Sequence, residues 1–139
     1  MIKWYKKVVF ENFANFDGRA RRSEFWYFIL AFYIFVALLI LVGVALTAAT
    51  QSAGVGMVFF ILYILYALLN VIPNIAVIVR RLHDVGKSGW YYFIILIPII
   101  GSIWMLILLC TEGDSGQNEY GPDPKGDYQE VEEIGTPEA

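Results

Sequence analysis

Three long apolar stretches dominate the pattern of hydrophobic and polar positions along the chain. They cover residues 25–47, 57–79 and 90–110, and none contains a Lys, Arg, Asp or Glu. At a rise of about 1.5 Å per residue, helices of these lengths would be roughly 31–34 Å long, which matches a bilayer hydrocarbon core of about 30 Å. The pattern therefore predicts an all-α membrane protein with three transmembrane helices. A water-soluble bundle would need polar faces on these helices, and residues 25–47 have none.

The third stretch is less regular than the other two, because Pro98 and Gly101 lie in its middle. Proline removes a backbone hydrogen bond and kinks a helix, so we expect a bent third span. Alternatively, residues 90–97 and 102–110 form a re-entrant hairpin with arms of about 12–14 Å. A hairpin would return the C-terminal tail to the side from which the stretch started.

Ahead of the first stretch, residue spacing predicts an amphipathic helix over residues 2–16. One face carries Ile2, Tyr5, Val9, Phe13 and Phe16, and the other carries Lys3, Lys7, Glu11 and Asn15. Such a helix is typical of an interfacial segment in the headgroup layer, either a plain anchor or a lipid-sensing or docking element. At the other end, residues 127–139 have the composition of an acidic disordered tail. Residues 1–126 are thus expected to form a single multi-pass membrane domain.

Composition and charge agree with a membrane protein. Hydrophobic residues make up 58% of the chain and charged residues 17%, against roughly 45–50% and about 25% in soluble domains. Residues 1–111 carry nine Lys or Arg and four Asp or Glu, whereas residues 112–139 carry one Lys and nine acidic residues. A basic body beside apolar stretches indicates the anionic headgroups of membrane lipids as partners, and no motif points to nucleic acid.

The distribution of basic residues predicts the orientation. Six Lys or Arg precede the first stretch, none lies in residues 48–56, and three lie in residues 80–89. Because Lys and Arg are held on the cytoplasmic side during insertion, we expect the N-terminus and the second loop in the cytoplasm. Three full spans would then place the tail outside.

Two charged segments, residues 16–26 and residues 80–90, are expected on this cytoplasmic face. Their polar side chains are Arg19, Arg21, Arg22, Glu24, Arg80, Arg81, His83 and Asp84. Glu24 can pair with Arg21 or reach across to the second loop, and Asp84 can pair with the nearby arginines. We expect a structural ion-pair network here, with binding of anionic lipid or of a membrane-protein partner as the functional alternative.

His83 beside Asp84 raises the question of acid–base chemistry or a metal site. His83 is the only histidine, adjacent helical residues do not face each other, and no activated Ser or Cys is evident. We therefore predict no catalytic residue, no metal site and no cofactor. The acidic residues of 112–124 lack EF-hand spacing, so a turn-rich cap is favoured over a calcium site.

Within the second stretch, Asn70 and Asn74 lie one helical turn apart, beside Pro73. Intramembrane amides usually hold helices together, although a homo-oligomer could use them to line a polar pathway. The three stretches contain no ionisable group, which argues against an ion-coupled transporter.

Several segments, taken in order, are similar to those of a known family. They are Phe16-Asp17-Gly18-Arg19, Arg80-Arg81-Leu82-His83-Asp84, Ser88-Gly89-Trp90, Ile97-Pro98 with Gly101, and Asn118-Glu119-Tyr120-Gly121-Pro122-Asp123-Pro124. Over about residues 10–126 the chain resembles the bacterial inner-membrane family 805 of domains of unknown function. The resemblance implies a small multi-pass fold in a bacterial plasma membrane and no established activity. We expect a non-enzymatic binding, structural or regulatory component acting through a basic cytoplasmic face, the alternative being a homo-oligomeric pore or transport component.

Overall fold

The computed structural model describes residues 1–126, so the predicted disordered tail lies outside the described residues. Within this range the regular structure is helical, apart from one isolated bridge between Asn118 and Gly121. The elements are α1 (Ile2–Lys6), a π-helix (Lys7–Glu11), α2 (Arg22–Thr50), α3 (Ala53–Asp84), a 3₁₀-helix (Gly89–Leu96) and α4 (Ile100–Cys110).

Helices α2 and α3 form a long antiparallel pair that contains the first two predicted stretches. Gln51 ends α2 with a left-handed φ of 51°, and the chain reverses at once into α3. The helices approach closely where Gly43 faces Phe59, since a Cβ on Gly43 would lie 2.8 Å from the Phe59 Cβ. With 29 and 32 residues, the helices are roughly 44 and 48 Å long, more than a hydrocarbon core requires.

The surface of this pair is apolar almost throughout. In the most hydrophobic window of each helix only 6% of the residues are buried inside the protein. The core helix of a soluble protein would bury such residues, whereas a bilayer solvates them. Both helices are therefore long enough, apolar enough and exposed enough to cross a membrane.

The third apolar stretch forms a hairpin rather than a continuous helix. Its arms are the 3₁₀-helix Gly89–Leu96 and the helix Ile100–Cys110. Each arm is roughly 16 Å long at the rises of the two helix types, about half of a hydrocarbon core. The arms pack so closely that a Cβ on Gly101 would overlap the Ile94 carbonyl. Three spans are thus not confirmed, and the geometry matches the hairpin alternative.

The hairpin reverses at a tight turn centred on Ile99. Ile100 donates its N–H to the Pro98 carbonyl at 2.7 Å, and Ile99 between them has φ 65° and ψ −62°. These angles define the γ-turn with positive φ, which is rare, and they are strained for a β-branched residue.

We call the end at which α2 begins and α3 ends the polar end of the molecule. Both ends of the hairpin lie there, because Gly89 packs against Val79 and Arg81 Nε donates to the Leu109 carbonyl at 3.3 Å. The core cluster comprises Val8, Ala20, Phe25, Phe28, Val77, Leu82, Met105, Leu108 and Leu109. Residues 112–126 follow α4 and also lie at the polar end, together with the N-terminal segment.

The N-terminal helix is shorter than predicted, and its predicted apolar face is only partly covered. It covers Ile2–Glu11 in two parts and packs onto α2 and α3. Val8 is fully buried, whereas Ile2, expected on the apolar face, is 69% exposed. Tyr5 and Val9 of that face do pack against the core, whereas Phe13 and Phe16 lie beyond the end of the helix at Glu11, where helical spacing no longer applies.

Candidate functional site

The polar end holds six charged side chains in two groups, which together we call the charged network: Lys7, Arg19, Glu24, Arg80, Arg81 and Asp84. In the first group, Arg80 Nη1 donates to Glu24 Oε1 at 2.6 Å. Lys7 Nζ lies 3.1 Å from Glu24 Oε2, close enough for an ion pair although not in hydrogen-bonding geometry. Glu24 is completely buried, and Arg80 is 3% exposed.

The second group is centred on Asp84. Arg19 Nε donates to Asp84 Oδ1 at 2.9 Å, and Arg81 Nη1 donates to Asp84 Oδ2. All three side chains are buried. In both groups two cations share one carboxylate, so each group carries one more positive than negative charge.

In the second group, backbone carbonyls take up much of the remaining donor capacity, whereas Arg80 Nε and Nη2 of the first group have no hydrogen-bond partner within residues 1–126. Arg81 donates to the carbonyls of Leu109 and Thr111, and Arg22 Nη1 donates to the carbonyl of Cys110 at 3.2 Å. The last carbonyls of a helix have no partner within it, and a cation is favourable at that end of the helix dipole. The two arginines thereby cap α4 and fix the hairpin to the polar end.

Residues 112–126, which we call the cap, close over the second group. Asp114 N–H donates to the Asp84 carbonyl at 2.7 Å, and Arg19 Nη1 donates to the Gly116 carbonyl at 2.6 Å. Arg19 Nη2 also donates to the Asp114 carbonyl. Gly113 permits this approach, because a Cβ there would overlap the Asp84 carboxylate. The predicted turn-rich cap is present, and it packs directly on the charged network.

Carboxylates also hold the cap in shape. Asp123 accepts backbone hydrogen bonds from Lys125 at 2.9 Å and Gly116 at 3.0 Å, and these bonds hold the pKa of Asp123 below its usual value. The hydrogen-bonded Lys125 ammonium likewise lowers the pKa of Glu112. Both carboxyl groups are therefore ionised at neutral pH, the state in which they accept these bonds.

His83, near the end of α3, lies under the cap and has a structural position there. Its Nδ1 lies 3.1 Å from the Gly18 carbonyl, which requires the proton on Nδ1. Its ring stacks on Tyr120 with 4.0 Å between centroids, and its backbone carbonyl accepts from Asn118 Nδ2 at 2.9 Å. Among residues 1–126, no three His, Cys, Asp or Glu side chains lie close enough to hold a metal ion.

A second cluster of cations surrounds Trp4 of the N-terminal helix, and it shares Lys7 with the charged network. Lys3 and Lys7 lie 5.9 and 5.3 Å from the centre of the Trp4 ring, and the Arg21 guanidinium lies 6.0 Å from it. These distances are typical of cation–π contacts. We call Lys3, Trp4, Lys7 and Arg21 the Trp4 basic group.

The two asparagines of α3 have different surroundings. Asn70 is 4% exposed, accepts from the Tyr5 hydroxyl at 3.4 Å and donates to the Tyr66 carbonyl at 2.9 Å. Asn74 is half-buried and lines a small cavity. Asn70 thus holds the N-terminal segment to α3, as the helix-joining interpretation expects.

The structure brings most of the predicted site residues together, although not all in one contact network. Arg19, Glu24, Arg80, Arg81 and Asp84 lie in the charged network, and His83 lies beside it. Glu24 pairs across to α3 rather than with Arg21, whose ring contact is with Trp4, and Asp84 pairs with Arg19 and Arg81 but not with Arg80 or Arg22. Arg22 is exposed at the edge of the network, 3.9 Å from Glu112.

Sequence reasoning missed Lys7 as a network member and Gly113 as the contact point of the cap. Helical spacing placed Lys7 on the solvent face, and nothing in the sequence indicates its pairing with Glu24. The sequence did contain a signal for Asn118 and Tyr120, because both belong to segment 118–124, which resembles the family pattern.

The fold and the site define a class: a small membrane protein with two long apolar helices and a buried charged network that joins its N-terminal segment to α3 and the cap. The chain belongs to the DUF805 family, which is described as a protein of unknown function and whose model matches residues 13–122. It is 42% identical to inner membrane protein YhaH of Escherichia coli K12 over 124 residues, which cover 89% of this chain and 98% of that protein. It is 38% identical to inner membrane protein YhaI of the same strain, over 89% of this chain and 97% of that protein. No solved structure matches the chain significantly.

Proposed function

We propose that this protein is a non-enzymatic component of the bacterial inner membrane that binds anionic phospholipid headgroups through the Trp4 basic group. The observation that carries the proposal is the gathering of three cationic side chains within 6.0 Å of one indole ring. Tryptophan favours the membrane interface, and each Lys or Arg near an anionic surface contributes about 1 kcal/mol of attraction.

The location and orientation of the protein are part of the proposal. The relatives named above are inner membrane proteins, and basic residues flank the polar end but are missing from residues 48–56. By the positive-inside rule the polar end then faces the cytoplasm. With the third stretch as a re-entrant hairpin, the N-terminus and the cap lie on that same side.

Apart from Lys7, which also belongs to the Trp4 basic group, the charged network is scaffold rather than lipid-binding surface in this proposal. Arg19, Arg80 and Arg81 are 8%, 3% and 0% exposed, so headgroups cannot reach most of their surface. Breaking a buried ion pair is strongly unfavourable, which keeps these cations engaged inside the protein. Lys3 is exposed, and Lys7 and Arg21 are half-buried, so headgroups can reach all three.

The non-enzymatic part rests on how the potential acid–base groups are engaged. His83 is occupied by the Gly18 carbonyl and covered by Tyr120, and Asp84 is held between two arginines. A general base must reach a substrate proton. Neither group is placed to do so.

The test measures lipid enrichment around the purified protein. The wild type and a Lys3→Gln/Arg21→Gln variant are placed in nanodiscs of mixed phosphatidylglycerol and phosphatidylethanolamine, then extracted gently and analysed by native mass spectrometry. We expect the variant to retain phosphatidylglycerol at least about tenfold less than the wild type, since two cations are lost. Lys7 is kept because it also pairs with Glu24.

Lys6→Gln is the matched control. Lys6 lies on the same helix and is exposed, and its substitution removes the same charge without touching the ring cluster. Equal losses in Lys6→Gln and Lys3→Gln would mean general surface attraction and would contradict a defined site. Unchanged enrichment in the double variant, or capture of a protein partner in place of lipid, would also overturn the proposal.

A further inference from the structure

A cavity of about 330 Å³ lies where α2, α3 and the first arm of the hairpin meet. Its apolar wall includes Phe32, Val71 and Ile75, and its polar groups are Asn70, Asn74 and Tyr92. Pockets of this size hold small ligands or parts of larger ones, and a few placed polar groups usually fix the ligand's orientation. Of the residues that the structure describes, no charged one lines it.

The depth of the cavity follows from its position on α3. Asn74 precedes Arg80 by six residues and Asn70 precedes it by ten, which places them about 9 and 15 Å below that arginine along the helix. Trp90, which opens the hairpin arm, is 78% exposed and is a typical interfacial residue. The cavity therefore begins just below the interface and ends near the middle of a hydrocarbon core of about 30 Å.

The Asn74 amide is the chemically distinctive group of the cavity. Asn70 is satisfied by Tyr5 and Tyr66, whereas Asn74 has no side-chain hydrogen bond within residues 1–126 and remains half-buried beside the open space. In hydrocarbon an amide without a hydrogen-bond partner is strongly unfavourable. A ligand with a hydrogen-bond acceptor at this depth would satisfy its N–H groups.

We propose that this cavity binds the glycerol ester region of a membrane phospholipid, with Asn74 Nδ2 donating to an ester carbonyl and an acyl chain lying along Phe32, Val71 and Ile75. Ester carbonyls are the acceptors that a bilayer supplies just below its headgroups. A second copy of the chain fits less well, because a helix is about 10 Å wide with its side chains and would not enter a space of this volume.

This site is separate from the Trp4 basic group, and lipid binding there does not depend on the charge of the headgroup. The experiment therefore uses a zwitterionic probe, phosphatidylcholine, in its ester form and in its ether form, which lacks the carbonyl oxygens. Purified full-length protein is loaded from nanodiscs of each lipid, extracted gently, and its tightly retained lipid is counted by native mass spectrometry. We expect the wild type to retain the ester form about fivefold better, the effect of one hydrogen bond.

Two variants make the assignment specific. Asn74→Leu keeps the side-chain volume and removes the amide, so we expect it to lose the preference for ester over ether lipid. Leu69→Val is the control, because Leu69 is on the opposite face of α3 and 65% exposed, and it should keep the preference. Lys3→Gln/Arg21→Gln should keep it as well, so a failure of the headgroup proposal is distinguishable from a failure of this one.

Equal retention of ester and ether lipid by the wild type would overturn the inference without any variant, and so would an unchanged preference in Asn74→Leu. A lipid-free dimer in the same spectra would assign the cavity region to contact between two copies instead.

Discussion

At the scale of single residues, Asp84 is the carboxylate that connects the second group of the charged network to the cap. Two buried arginines share its carboxylate, its carbonyl accepts from the cap, and Gly113 lies against it. Removing one partner from a buried ion pair leaves an unmatched charge, which usually costs more than the pair contributes. Asp84 is therefore the residue whose charge the polar end tolerates losing least.

We expect Asp84→Asn to lower the free energy of unfolding by about 3–5 kcal/mol, since Arg19 and Arg81 would remain buried without their common counter-ion. Thermal unfolding of the purified protein in detergent micelles measures the effect. Asp17→Asn provides the control, because Asp17 is exposed and such surface changes stay within about 0.5 kcal/mol. Equal stability of the two variants would show that the arginines find other partners.

Sequence reasoning reaches most of this network because few charges lie beside the apolar stretches. Glu24 and Asp84 have to pair there, and the arginines are the available partners. It does not reach Lys7, because the helix changes its turn width at that residue and a fixed period assigns the side chain to the wrong face. The Trp4 cluster includes Arg21, and nothing in the sequence indicates that this residue returns to the N-terminal helix.

At the scale of elements, the two long helices and the hairpin differ in how far the sequence determines them. An uninterrupted apolar stretch of 23 residues has one stable form in a bilayer, a spanning helix. Pro98 and Gly101 interrupt a helix locally, but they do not determine the direction in which the chain continues. The direction depends on Gly101 meeting the Ile94 backbone and on Arg81 holding the far end of α4, contacts that spacing does not contain.

The apex of the hairpin carries backbone strain that a substitution can release. Ile99 occupies positive φ without being glycine, so we expect Ile99→Gly to stabilise the protein by about 1 kcal/mol. The measurement is the detergent-micelle unfolding temperature.

Ile103→Gly gives the opposite case on the same element. Ile103 lies inside α4 and is 56% exposed, so glycine there should destabilise by roughly 0.5–1 kcal/mol through lost helix propensity. If both glycine variants destabilised the protein, the turn at Ile99 would not be strained in the membrane.

At the scale of the whole molecule, the arrangement brings the N-terminal segment, the second loop and the cap to one end. Residues 16–19, 80–84 and 118–124, recognised as one family pattern in the sequence, prove to be one contact surface. The prediction of three spans excluded this assembly. A third span would have placed the cap on the opposite side of the membrane from the other two segments.

We expect reporters fused to the C-terminus to indicate a cytoplasmic location. Green fluorescent protein after Ala139 should fluoresce, and alkaline phosphatase at the same position should be inactive, because the hairpin returns the chain to its starting side. Phosphatase inserted after Ser52, in the loop that lacks basic residues, should be active and serves as the control. Phosphatase activity at the C-terminus would mean that residues 90–110 cross the membrane.

The contact between Arg19 and the cap can form only late in synthesis. The hydrogen bond from Arg19 to Gly116 joins residues 97 positions apart, so at roughly 5–20 residues per second the acceptor is made about 5–20 s after the donor. Until then a nascent chain carries both long helices but lacks the carbonyls that enclose its guanidinium. A ribosome that stops before residue 114 therefore releases a chain with both long helices whose Arg19 guanidinium lacks the Asp114 and Gly116 carbonyls as acceptors.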